Sequence, residues 1–426
     1  MNRHLYSLLF HLCLPLIGLR LAWRAWRAPA YAKRIGERFA LLPPLRPGGI
    51  WVHAVSVGES IAAAPLVREL LARYPDLPIT LTCMTPTGSE RIRALFPEAQ
   101  FAGRVQHCYL PYDLPWAAAR FLKRVRPKLA VIMETELWPN YIHQCALRGI
   151  PVALANGRLS ARSARGYGRF AKLTAPMLAE LDLLAVQSQV EAERFIDLGA
   201  RPAAVEVTGS IKFDQQVDAE VSARAGVLRG QWQAQQRPVW IAASTREGED
   251  ALVIQAHQQL LANQPDALLI LVPRHLERFD TAAAQLREAG LTFVRRSSGE
   301  AVGPGVQVLL GDSMGELMFL YALADIAFVG GSLVETGGHN PLEPIALGLP
   351  VIMGPHRFNF LEITAQLLER GALCEVADAQ ALGEQVALLL SEPARAAAMR
   401  DAGLAVLKAN QGALKRLLDG LGRLLV

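Results

Sequence analysis

The chain lacks the patterns that announce the commoner chemistries. Its five cysteines, Cys13, Cys83, Cys108, Cys145 and Cys374, are odd in number and scattered, with no C-x-x-C among them. A disulfide framework and the usual zinc spacings are therefore not indicated, and a reducing compartment fits best. No G-x-x-x-x-G-K-[ST] is present to cradle a nucleoside triphosphate, and no H-E-x-x-H to bind catalytic zinc. No D-x-D occurs, which removes the simplest chelator of a metal–diphosphate pair, and no serine nucleophile elbow is visible. One G-x-G-x-x-A does occur, GYGRFA at 166–171, but the polar RLSARSAR precedes it, so the strand a dinucleotide fingerprint requires is missing. Internal repeats and low-complexity runs are absent too.

What is there is globular. Hydrophobic residues make up 51% and charged ones 19%, and the net charge of +5 is a mild excess whose placement matters more than its size. At 426 residues the chain is too long for one typical core, which predicts two domains.

The basic excess gathers near the start. Residues 5–23 are apolar apart from Ser7, His11 and Arg20, and Arg24, Arg27, Lys33, Arg34 and Arg38 follow against the single acid Glu37. The apolar run approaches the roughly 20 residues needed to cross a bilayer, while Pro15 and Arg20 equally suit a helix lying in the interface. Arginines stand where small residues would mark a signal cleavage site. Residues 1–30 are thus expected to attach the chain to a membrane, with the remainder on the cytoplasmic side.

From residue 49 onward short apolar runs alternate with amphipathic segments, the pattern of α/β domains with parallel sheets. Strands are predicted at 49–55, 78–83, 129–134, 151–156, 183–188 and 205–209, then at 238–244, 267–273, 291–296, 306–311, 325–331 and 350–354. The expected organisation is a first Rossmann-like domain over 31–214, a polar helical linker over 215–235, and a second Rossmann-like domain over 236–426 that includes the C-terminal helices. Two doubly wound domains imply a cleft between them, with ligands beyond the carboxyl ends of the strands.

Candidate residues sit at those strand ends. HAVSVGES (53–60) presents Glu59 at a helix start, either as a general base toward a hydroxyl or as a first-turn acid that only complements the helix dipole. METELWPN (133–140) carries Glu134 and Glu136, which share a face on an extended segment and diverge on a tight turn. The loop 156–167 carries Arg158, Arg162 and Arg165, suited to phosphates or simply to solvent. TGSIKFD places Lys212 where the first domain ends. In the second half, Arg274 and His275 can donate to a phosphate or base, and Met314-Gly315-Glu316 predicts a helix start with free N–H groups. GGSLVETGGHNPLEP (330–344) ends as a helix beginning, with Asn340 as N-cap, Pro341 at the first helical position and Glu343 three residues after the cap, either local capping or a partner for a ribose diol. Few fixed charges and several helix starts suit a nucleotide with one phosphate.

HAVSVGE, METELWPN, NGRLS-x-RS, TGSIKFD, PRH-x-ERF and GGSLVETGGHNPLEP, in this order from about residue 34 to 360, closely resemble the 3-deoxy-D-manno-octulosonic acid (Kdo) transferases of lipopolysaccharide synthesis. The resemblance implies a GT-B glycosyltransferase of two Rossmann-like domains facing a cleft, with an N-terminal membrane anchor. It implies transfer of Kdo from CMP-Kdo to a lipid A precursor at the cytoplasmic face of the inner membrane, with inversion and no metal or other cofactor. Its partners are then the donor, the lipid acceptor and the membrane surface, with no nucleic acid. By the same resemblance Glu59 is the catalytic base, and Glu134 and Lys212 steady the transition state. The CMP contacts fall on Pro273 and Arg274, on Met314, Gly315 and Glu316, and on Asn340, Pro341, Leu342 and Glu343. The competing readings are a sugar-nucleotide epimerase of the same fold and a non-catalytic nucleotide-sugar-binding module.

Overall fold

The computed structural model describes residues 1–215, 217–232 and 237–425. The chain forms two units, one built from Met1–Asp214 together with the segment from Gln411 onward, the other from Gln215–Asn410.

The first unit holds a seven-stranded sheet of β1 (Ile50–His53), β2 (Ile79–Cys83), β3 (Val105–Tyr109), β4 (Leu129–Met133), β5 (Val152–Gly157), β6 (Leu183–Val186) and β7 (Val205–Val207), in the order β3-β2-β1-β4-β5-β6-β7. Every pairing is parallel. Both faces are covered by helices, which is why the central strands read as unbroken apolar runs. Ile50, Val52, Leu129 and Val131 pack into one core, and Trp51, Ala130 and Ile132 into the other. The strand order reverses between β1 and β4, the switch point at which such sheets leave a crevice.

The second unit repeats the plan with β8 (Val239–Thr245), β9 (Leu268–Pro273), β10 (Phe293–Arg295), β11 (Val308–Leu310), β12 (Ile326–Val329), β13 (Val351–Met353) and β14 (Leu373–Glu375), ordered β10-β11-β9-β8-β12-β13-β14 and again parallel. Its switch point lies between β8 and β12.

Two strands escaped the sequence reading. β3 reads Val-Gln-His-Cys-Tyr and β14 Leu-Cys-Glu; both lie at sheet edges, where half-exposed polar residues replace the apolar run. The expected linker also differs. Residues 216 and 233–236 lie outside the described ones, but the helix Ala219–Gln231 belongs to the second unit, where Ala225 and the following Trp232 are buried in its core.

The last helix, Ala413–Leu424, was expected with the second domain and packs instead on the first. Its Leu414, Leu417, Leu418 and Leu421 enter the core beside Leu183 and Ala185, and a Cβ on Gly420 would lie 2.9 Å from the Leu183 side chain. Asp214 caps the returning chain by accepting from the N–H groups of Gly412 (2.6 Å) and Leu414 (2.5 Å). An apolar stripe on a terminal helix says that it docks, not on which sheet.

At the N-terminus, no single helix among the described residues is long and apolar enough to cross a membrane. The helices Arg3–Leu12 and Leu14–Arg27 reach that length only as a pair, bent by 53°. Pro15, at the start of the second, has no N–H to continue the first.

Candidate functional site

In the first unit the predicted residues come together around the switch point. Ser56 is the N-cap of the helix Val57–Arg73, and Glu59 stands in its first turn. The Ser56 hydroxyl donates to Glu59 Oε1 at 2.9 Å, and the Val55 N–H donates to Oε2 at 2.8 Å. The local role weighed for Glu59 is therefore real: its carboxylate fixes the turn after β1. It is also only 8% exposed. Burial raises its pKa against the lowering effect of those two donors, and the charge of Glu134 raises it further.

Glu134 begins the turn after β4 in a left-handed conformation, φ +53°. Such a backbone costs a non-glycine residue energy, and strain of this kind concentrates at functional sites. The segment is the tight turn, not the extended one, yet Glu136 stays within the electrostatic reach of both Glu59 and Glu134. Burial and those two charges push Glu136 up to about 7. Lys212 supplies the opposite sign, its Nζ lying 3.6 Å from Glu134 Oε1. Asn156, also left-handed at φ +55°, closes β5 and accepts the Ile211 N–H at 3.1 Å, which seats the turn Ile211–Phe213 that carries Lys212. Three carboxylates and one ammonium thus gather at the ends of β1, β4 and β7. Among the described residues no group of three His, Cys, Asp or Glu could hold a metal ion.

The second unit has a cluster of opposite sign. Pro273 ends β9, and the Arg274 N–H donates to the Thr245 carbonyl at the end of β8 (3.0 Å). Arg246, next along from Thr245, donates from Nε to His339 Nε2 at 3.2 Å and contacts His275 Nε2 at 2.5 Å. The Arg246–His339 bond spans the switch point, joining the ends of β8 and β12. Burial first, then Arg274, Arg246 and His275, hold His339 down at about 3. His275 is lowered by burial and by Arg246, with a smaller opposing pull from Glu277. Burial and Arg274 lower even Arg246, against a pull from Glu249. Cations that suppress one another's charge in this way leave an unmet preference for an anion.

Glycines crowd 330–338 because the loop there is folded tightly on a buried carboxylate. Glu249, fully buried, accepts from the N–H groups of Gly331 (2.6 Å), Ser332 (2.9 Å) and Leu333 (2.8 Å) as well as Arg246 (2.8 Å). That folds the loop over the end of β8. Gly331, at φ +68°, would put a Cβ 3.0 Å from the His339 ring. Its lack of a side chain admits the histidine.

The helix starts differ slightly from expectation. The segment after Pro341 is one short turn, Leu342–Ala346, with Asn340 Oδ1 accepting from the Leu342 N–H at 3.1 Å. Glu343 accepts from the Asn340 side-chain amide at 3.3 Å. Leu342 is fully buried, a core residue. At 314–316 the helix begins later, at Leu317, because Gly315 takes φ +85°. Glu316 accepts from Arg296 at 2.9 and 3.2 Å and from Ser313 at 2.5 Å. Burial raises its pKa, but Ser313 and Arg296 outweigh that and hold it below the ordinary value. Met314 is exposed. Arg246, His339, Glu249 and Arg296 were not singled out from the sequence; the signal for the first three was their position just past strand ends or in the glycine loop. GYGRFA runs from the last turn of the helix Ala161–Gly168 to the start of the helix Ala171–Ala179, with no strand before it.

Residues 33–215 match the family described as 3-deoxy-D-manno-octulosonic-acid transferase (kdotransferase), and 246–405 match glycosyl transferases group 1. A protein of Haemophilus influenzae named 3-deoxy-D-manno-octulosonic acid transferase is 47% identical over 425 residues, covering 98% of each chain. One of Bordetella pertussis with the same name is 43% identical over 431 residues and 99% of each chain. The solved UDP-GlcNAc 2-epimerase of Neisseria meningitidis shares the fold at a TM-score of 0.58, with 14% identity over 88% of this chain and all of that one. Those two doubly wound units have the GT-B architecture, and the chain belongs to the 3-deoxy-D-manno-octulosonic acid transferase family.

Proposed function

We propose that this protein moves Kdo from CMP-Kdo to a hydroxyl of a lipid A precursor by a single inverting displacement that requires no metal. The observation that carries the reading is Glu59: a buried carboxylate whose proton affinity is raised by burial and by Glu134, at the switch point of the first sheet. A sugar hydroxyl is a poor nucleophile, and a base of raised pKa takes its proton as the new bond forms, worth about 10²–10⁴-fold. The hydroxyl oxygen bonds to the anomeric carbon of Kdo while the bond from that carbon to the CMP phosphate oxygen breaks. CMP leaves with the electron pair.

Arg246, Arg274, His275 and His339 are the groups suited to the phosphate on which that charge grows, and stabilising late charge accelerates the step more than binding the ground state does. Pro273, Asn340 and the backbone at 314–316 and 341–343 are assigned to the remainder of the nucleotide. Lys212 and Glu134 are assigned to the developing oxocarbenium and to the carboxylate that Kdo carries. The N-terminal helix pair, with Leu16, Leu19, Trp23 and Trp26 exposed beside Arg20, Arg24 and Arg27, is assigned to the cytoplasmic face of the inner membrane.

The test is CMP release from CMP-Kdo with a tetraacylated lipid A precursor, with and without EDTA, followed by mass analysis of the lipid to count the added sugars. Release coupled to a lipid gaining whole Kdo units, unaffected by EDTA, is the expected result. Release without a heavier lipid, or activity lost in EDTA and restored by Mg²⁺, sinks the reading.

A further inference from the structure

A cavity of about 460 Å³ opens in the first unit, and the catalytic scheme makes no use of it. Its walls include Tyr6, Trp138, Tyr167, Phe170, Leu173 and Met177, and its volume is within the usual range for a small-molecule pocket.

Three observations say what fills it. The cavity adjoins the turn that carries the glutamates: Leu137 and Trp138 follow Glu136 directly, and the Tyr167 hydroxyl donates to the Thr135 carbonyl, between the two glutamates, at 3.4 Å. Its wall on the N-terminal side is fixed. The Ser7 hydroxyl donates to Asn140 Oδ1 at 2.9 Å, and the Tyr6 hydroxyl bonds to the buried carboxylate of Asp113, which also accepts the N–H groups of Asn140 (3.1 Å) and Tyr141 (3.0 Å). The same helix exposes Leu5, Leu8, Leu9 and Leu12, so apolar surface runs from the cavity wall out to the membrane-directed face. Third, the helix Ala161–Gly168 gives Ser163, Gly166 and Tyr167 to the cavity and exposes Arg162 and Arg165 beside them, with Arg169 just beyond. An apolar slot with a cationic rim is complementary to an amphiphile with an anionic head.

We propose that this cavity holds an acyl chain of the acceptor, with the phosphates of the same lipid on Arg162, Arg165 and Arg169. This rests on the acceptor being a lipid A precursor and adds that the protein measures its acylation. The chain seated beside Thr135 orients the sugar so that its hydroxyl faces the Glu59 cluster.

The experiment compares transfer to the tetraacylated precursor and to analogues shortened by successive pairs of methylenes, for the wild type, Gly166→Trp and Phe170→Ala. Gly166 lines the cavity and a Cβ there meets nothing within 4 Å, so a larger side chain is admitted at its wall. Phe170, 46% exposed, is trimmed as a second variant with little risk to folding. Each methylene buried is worth about fourfold in affinity, so the wild-type KM for acceptor should climb steeply as the chains shorten. In Gly166→Trp the KM for the full-length acceptor should rise tenfold or more. Both variants should flatten the chain-length dependence and keep the donor KM. Wild-type chain-length dependence in both variants overturns this proposal alone. Failure of the wild type to transfer Kdo to any lipid overturns the parent reading, and this one with it.

Discussion

The ammonium of Lys212 lies 3.6 Å from the carboxylate of Glu134, although 78 residues separate them in sequence and each arrives on a turn of its own. Both turns are held by left-handed residues, Glu134 itself and Asn156, which ties the Lys212 turn to β5 through Ile211. Under the proposed function the ammonium pairs with the carboxylate that Kdo carries, and Glu134 with the positive charge that grows at the anomeric carbon. Lys212→Met should lower kcat by about 10²–10³-fold, as loss of one stabilising donor does. Lys212→Arg should restore part of it. Donor affinity measured by calorimetry should change far less than kcat; an equal loss in both would make Lys212 a binding residue only.

One substitution separates the turn contact that Glu59 makes from the role of base proposed for it. Gln keeps an acceptor oxygen for the Val55 N–H and turns its amide N–H₂ toward the Ser56 hydroxyl, which can rotate to accept, but it cannot take a proton. Glu59→Gln should therefore fold with a nearly unchanged Tm, bind CMP as before, and lose about 10²–10⁴-fold in turnover. Glu59→Ala should lose turnover and also soften the turn after β1, lowering Tm. A Gln variant that keeps most of its rate would remove Glu59 from the mechanism.

Glu136 predicts a pH dependence in two readouts. A carboxyl whose folded pKa stands near 7, above its unfolded value, favours the folded state below the ordinary carboxylate range and loses that contribution as pH rises to about 7. Glu136→Gln removes the titration. Its stability relative to wild type should rise across that window by about 1–3 kcal/mol, the lower figure allowing for partial exposure. The charge of Glu59 helps to hold the proton on Glu136, so in Glu59→Gln the Glu136 titration, followed by NMR, should move to lower pH. A titration that stays put would mean that the two carboxyls do not face each other.

How much of this was written in the sequence follows from what each signal depends on. The central strands were legible because burial on both faces leaves uninterrupted apolar runs, while β3 and β14 were not, because an edge strand needs no such run. Glu59, Glu134 and Lys212 were legible as strand-end residues. The raised proton affinity of Glu136 was not, since it arises from two charges that only the fold brings near. The donor region shows the same limit. Arg274 and His275 stand in an obvious motif, but their coupling to Arg246 and His339 joins residues 93 positions apart. Which unit receives the last helix was likewise invisible in its own sequence.

The donor cluster makes a prediction about protons. His339, held at about 3, and His275, also lowered, are neutral near neutral pH because burial and arginines oppose their charge. A phosphate arriving among them favours the protonated ring, so binding should take up protons and tighten as pH falls from neutral toward the lowered values of the free rings. Calorimetry of CMP binding in two buffers of different ionisation enthalpy measures the uptake. His275→Ala should reduce it, and Arg274→Ala should weaken CMP binding by about 10–100-fold, the worth of one charged hydrogen bond. Binding that is flat with pH and releases no buffer heat would place the phosphate elsewhere.

The last helix makes the first unit's stability depend on the end of the chain. Leu417 and Leu421 are fully buried beside the strand residues Leu183 and Ala185, and Asp214 fixes the point of return. Leu417→Ala should cost about 2–5 kcal/mol, the range for a leucine truncated in a core that relaxes only in part. Asp214→Ala removes the acceptor for two N–H groups and should cost about 0.5–2 kcal/mol as a lost cap. The second unit contains its own complete sheet, so the loss should appear as a transition of the first unit at lower denaturant while CMP binding persists through it. If Leu417→Ala instead abolished CMP binding at the same denaturant concentration as it unfolded the first sheet, the two units would be one cooperative body and their separate stabilities would have no meaning.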